Sequence, residues 1–85
     1  MLTAQLILAV AMVLEQTPTD TLKELYWDCD TLYMQQQMSG EDLARCLSIT
    51  YSLQDRFPTP AEFYLWWEKN RRHEWQKRGY REHAT

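Results

Sequence analysis

Two cysteines, two histidines and a scatter of carboxylates are the residues that could carry covalent or metal chemistry, and their spacing supports neither. Cys29 and Cys46 lie far apart, with no CxxC and no close histidine. That is not a zinc pattern and not a disulfide-rich scaffold. Both fall on apolar helical faces, where a free cysteine behaves as a small hydrophobe. Unpaired thiols in a reducing, cytoplasmic setting are therefore expected. Asp28 and Asp30 point to different sides of a helix and form no carboxylate dyad. Glu68 and His73 are five apart, a poor spacing for a shared helical face. No Gly-rich phosphate loop, GxSxG or HExxH occurs. An 85-residue chain also has little room for a substrate pocket. The expectation is a protein with no enzymatic activity, no metal and no cofactor.

Binding chemistry is better represented. Residues 57–81 hold three of the four tryptophans and six of the nine basic residues. Lys69, Arg71, Arg72, Lys77, Arg78 and Arg81 interleave with Trp75 and Tyr80. Cations can contact phosphate, and aromatics can stack on bases. Against nucleic acid stand a pI near 5.2 and the diluting Glu68, Glu74 and Glu82. A reading helix also presents its first turns to bases, whereas here those turns are aromatic and read as buried. Protein docking fits more features, because Trp, Tyr and Arg dominate binding energy at interfaces. Two surfaces are candidates. One is the stripe Trp27, Met34 and Met38. The other is the group Arg71, Arg72, Trp75, Arg78 and Tyr80.

The elements that position these residues follow from three recurring capping signals. Thr17-Pro18-Thr19-Asp20, Ser39-Gly40-Glu41-Asp42 and Thr59-Pro60-Ala61-Glu62 each offer a hydroxyl as N-cap and an acid three residues later. Two of them place proline at N1, where its missing N–H costs nothing. They divide the chain into four helices, at about 3–15, 18–37, 40–57 and 60–78. The fold class is all-α, a compact bundle with short connections in a single domain, 1–85. Gly79 is a plausible helix stop, and 79–85 reads as a flexible tail.

Helical phase assigns the faces. The second helix has a main stripe of Leu22, Leu25, Tyr26, Cys29, Leu32 and Tyr33, with Trp27, Met34 and Met38 nearly opposite. That second stripe is covered by helix 1 or the C-terminal tail, or it faces a partner. The third helix gathers Leu43, Cys46, Leu47, Ile49, Leu53 and Phe57 on one arc and reads as purely structural. The fourth packs Phe63, Tyr64, Trp66 and Trp67 on the core. Its basic second half is expected to extend beyond the core or lie on its rim. The apolar run Leu6–Leu14 lacks the basic start of a signal peptide and is too short to span a bilayer. It reads as a central core helix, with no membrane role.

Charge is polarised along the chain. Residues 1–56 carry eight acids against three bases, and residues 57–85 carry six bases against four acids. Such an asymmetry suits an oriented electrostatic contact, although an ordinary solvated helix face would produce it too.

Within Gly40 to Trp67, the residues Arg56, Phe57, Pro58, Thr59, Glu62 and Phe63 resemble a segment of phage replicative-helicase loaders. There an amphipathic helix ends in a basic-Phe-Pro turn, and the next helix opens with Glu and an apolar residue. The second consecutive proline of that pattern is missing here. The resemblance implies a small phage or mobile-element protein that grips a larger protein. The functional expectation is thus an adaptor or inhibitor docking on a larger protein, one that itself handles nucleic acid. Direct nucleic-acid binding through the basic helix, a loader-like replication role and a homodimer are the alternatives.

Overall fold

Residues 13–81 are described by a computed structural model of the chain. They form a helical turn at 13–16 (α1) and three full helices, α2 (Thr19–Met34), α3 (Gly40–Gln54) and α4 (Pro60–Lys77). No strand occurs among the described residues, and the all-α expectation holds. The proposed core helix at 3–15 lies outside the described residues except for its end. There Leu14 is buried in the core and Val13 is exposed.

Two of the three capping signals work as the sequence predicts. The Ser39 hydroxyl accepts from the Asp42 amide at 3.1 Å, and the Asp42 carboxylate accepts from the Ser39 amide at 3.2 Å. This reciprocal box satisfies two amides that the first turn leaves free. The same contacts, with Ser39 the main cause, hold the Asp42 carboxyl below its ordinary value. Thr59 accepts from the Glu62 amide at 3.2 Å, with Pro60 opening the helix. Thr17 departs from expectation. Its hydroxyl donates to the Val13 carbonyl at 2.7 Å, so it closes α1, and α2 starts without a side-chain cap.

Helix ends differ more from the sequence reading. α2 stops at Met34, three residues short of its expected end, because Gln36 adopts a left-handed φ of 59°. The Gln37 amide then reaches the Leu32 carbonyl at 3.1 Å, and the Gln36 amide the Tyr33 carbonyl at 3.1 Å. That hydrogen-bond pair closes a helix around a left-handed residue, usually glycine. The C-terminus of α4 uses the same device with Gly79, at φ 88°. There the Tyr80 amide bonds to the Trp75 carbonyl at 2.9 Å, and the Tyr80 ring meets Trp75 edge-on at 5.6 Å. A side chain at Gln36 crowds the following carbonyl, which glycine would not do. Gln36→Gly is therefore expected to stabilise the fold by about 1 kcal/mol, read as a shift of the urea midpoint at constant slope.

The core is built on α2. Leu22, Tyr26 and Cys29 of α2 are buried together with Cys46, Ile49 and Leu53 of α3, Leu14 of α1 and Trp75 of α4. Trp27 is buried as well. Phe57, Phe63 and Trp66 seal one end as an aromatic cluster, with ring centres 5.4–5.7 Å apart. Arg56 ties the first helix to this end. Its guanidinium donates to the carbonyls of Leu14, Glu15 and Thr17 and to the Thr19 hydroxyl, at 2.9–3.2 Å. A cation at the end of α1 is favoured there by the carbonyls of the last turn.

The cysteines correct a sequence expectation. Cys29 and Cys46 are joined as a disulfide, with Cα atoms 5.6 Å apart. Both thiols belong on apolar faces, as the phase indicates, and those faces belong to the same interface. The reason for placing the chain in a reducing cytoplasm falls away, since such bonds persist mainly in oxidising compartments. Among the described residues, no helix is long and apolar enough to cross a membrane. The closed loop spans 17 residues, and cross-linking a loop of that size contributes about 3 kcal/mol by restricting the unfolded chain. Paired Cys29→Ala/Cys46→Ala replacement should lower stability by that order and the melting temperature by roughly 10–20 °C, measured by calorimetry.

Candidate protein-docking groove

The two surfaces singled out by sequence have different fates. Both halves of α4 contact α2, so its basic end is docked and does not project. A single carboxylate organises the contact. Asp30 Oδ2 accepts from the indole N–H of Trp75 at 2.8 Å and from that of Trp67 at 3.2 Å. The Tyr26 hydroxyl joins it. Burial raises the Asp30 carboxyl above its ordinary value, and the hydrogen bonds and the nearby Arg71 only partly oppose this. Burial, then the Asp30 charge, raises Tyr26.

Trp27 and Trp75 are therefore not contact surface, being 2% and 1% exposed. Each aromatic of this size removes about 150–250 Å² from water, roughly 4–6 kcal/mol before the entropy of ordering. Trp66 of α4 covers Trp27 with ring centres 5.1 Å apart. Tyr80 closes α4 against Trp75 and is half-buried, so the chain is packed at least to that point. Arg71 lies over the rings of Trp67 and Trp75 at 5.2 and 5.3 Å, and it pairs with Glu68 at 3.6 Å. Arg72 is exposed.

Arg78 is consumed inside the chain. Nε donates to Asp28 at 2.7 Å, Nη1 to Glu74 at 2.6 Å and Nη2 to Glu24 at 2.6 Å. Lys77 adds Glu74 at 3.3 Å. Burial would raise the Glu74 carboxyl, but hydrogen bonds from Arg78 and Lys77 outweigh it and hold the group low. Arg78 shows the converse. Burial alone would lower it, and Asp28 and Glu74 raise it. Glu24 and Asp28 are well exposed, so each of those pairs contributes about 1 kcal/mol or less. Together they fix the orientation of the α4 end.

Met34 and Met38 remain near the surface, without Trp27. With Tyr33, Gln36, Ser39, Gly40 and Leu43 they line an open groove of about 490 Å³. A smaller cavity of about 150 Å³ shares Tyr33, Met38 and Leu43 with it, and Asp30, Cys29, Cys46 and Leu47 contribute to its walls. α3 extends the apolar surface. Leu43, Leu47 and Tyr51 recur every fourth residue and are 46%, 44% and 61% exposed. Of the arc read as structural, only Cys46, Ile49 and Leu53 are buried. Sequence reasoning missed Tyr33, Leu43, Leu47 and Tyr51 as surface. The available signal was the width of the α3 arc, which exceeds what one neighbouring helix can cover.

Among the described residues, no group of three or more His, Cys, Asp or Glu could hold a metal ion. His83 lies outside them. No family model, curated protein or solved structure matches the chain. The loader resemblance thus stands on its own residues. Of these, Arg56 clips α1, Thr59 caps α4, and Phe57 and Phe63 pack on each other.

Asp30 yields a test with a defined sign. Its folded-state carboxyl binds the proton more tightly than in the unfolded chain, so its contribution to stability is greatest in acid. That contribution declines as pH rises from the ordinary 3.8 through the raised value. Asp30→Asn keeps an acceptor oxygen and should remove this declining slope in urea titrations across that range. Asp30→Ala strands two indole donors and should cost about 2–4 kcal/mol at neutral pH.

Proposed function

We propose that the chain is a non-enzymatic docking protein, an adaptor or inhibitor that binds a larger protein through the α2–α3 face. One observation carries this reading. The groove beside Met34 and Met38 is open and more apolar than polar, and it continues into the exposed row Leu43, Leu47 and Tyr51. Methionine and aromatic side chains make adaptable, high-energy contacts. The loader resemblance adds, by analogy, a partner within a phage or mobile-element replication machine.

The nucleic-acid alternative is weakened by the pairing of Arg71, Lys77 and Arg78 with carboxylates of the same chain. It would fall to Lys69, Arg72 and His73, which are exposed on the outer side of α4.

Affinity purification from the native host, with Leu43→Asp compared against Lys69→Ala/Arg72→Ala, separates the two readings. Loss of the captured protein with Leu43→Asp alone is the expected result. Loss only with the basic pair, together with salt-dependent binding of an oligonucleotide, would replace docking by nucleic-acid contact.

A further inference from the structure

Which protein first occupies the α2–α3 face can be argued from the face itself. Gly40, Leu43, Ala44, Leu47, Thr50, Tyr51 and Gln54 share one side of α3 at i, i+3, i+4, i+7, i+10, i+11 and i+14. None carries a charge, although the chain has a net charge of −3. The charged residues of α3, Glu41, Asp42 and Arg45, lie on its other sides. Along these positions two such faces oppose no like charges and bury no ion, the usual obstacles to association of an acidic protein with itself; the first charge on the row is the exposed Asp55, one turn beyond Tyr51 at the end of the helix. Gly40 and Ala44 also let a second helix approach closely.

The face has a hole at one end and a knob at the other. The groove lies beside Leu43, and Tyr51, the most exposed residue of the row, stands two turns away, about 12 Å along the helix. Leu47 is midway between them. Resting on the reading of this face as a docking surface, we propose that its occupant is a second copy of the chain. The two α3 helices run antiparallel about a two-fold axis at Leu47. Tyr51 of each copy fills the groove of the other, against Tyr33, Met34, Met38 and Leu43. A two-fold contact of this kind is self-complementary, with each hole filled by the same residue it supplies elsewhere. The ring of tyrosine fits within about 490 Å³ with room for its approach. Its neighbours there are thioethers and an aromatic ring, which suit it chemically.

Sedimentation equilibrium on the full chain tests this directly. The wild type should show twice the 10.3 kDa chain mass. Tyr51→Ala should weaken the dimer on the order of tenfold or more, and Leu47→Asp should give monomer with unchanged helicity. Arg45→Asp, on another side of α3, should leave the dimer intact. A wild type that stays monomeric at every concentration overturns the proposal. So does a dimer indifferent to both Tyr51→Ala and Leu47→Asp. Should Leu47→Asp lose helicity, the Tyr51→Ala association constant decides alone. A monomeric wild type that still loses its larger partner on Leu43→Asp would leave the docking function standing and remove only the self-pairing.

Discussion

A carboxylate placed where water is scarce sets the terms for this fold. Asp30 is partly buried on α2 among aromatic side chains, and it needs donors. The chain has few neutral donors that can follow it into an aromatic interior. Indole N–H groups are among them, and α4 supplies two. Because Trp67 and Trp75 are about two turns apart and both reach the same oxygen, the middle of α4 is held over Asp30 and neither half projects away from α2. The ion pairs of Arg78 with Glu24 and Asp28 presuppose that placement. The interaction is costly on its own account, since burial works against the charge. Its value lies in specifying one arrangement of two helices that apolar packing alone would leave free to slide.

Much of the architecture is legible in the residues. The Ser39 and Thr59 signals place two helix starts because a capping side chain acts within four residues and needs no tertiary context. The same locality explains the miss at Thr17, where a carbonyl of the preceding turn competes for the hydroxyl. The early end of α2 was not legible. A glutamine at left-handed φ breaks the usual association of such positions with glycine, and only the turn that must lead into α3 enforces it.

The site was harder to read, for a different reason. Composition marks Trp75, Arg78 and Tyr80 as interface types, and they are interface residues, but of an intramolecular interface. A polar side chain that pairs within its own chain looks identical in sequence to one awaiting a partner. Leu43 and Leu47 present the reverse problem. They belong to an apolar arc that looks like core, and the number of neighbours available to cover it is a property of the whole bundle. The polarity of the chain therefore does not translate into a free basic end, since Lys77 and Arg78 pair with acids on α2 and on α4 itself.

The Cys29–Cys46 pairing also bears on the order in which the molecule assembles. α2 and α3 are joined by a turn of five residues, whereas the link from Asp30 to Trp75 spans 45 positions and that from Glu24 to Arg78 spans 54. Closing short loops loses less chain entropy and occurs first. The groove and the tyrosine row belong entirely to this early hairpin. The groove and the tyrosine row are thus made by the segment that closes early, and the contacts of Asp30, Glu24 and Asp28 with α4 are added to it afterwards.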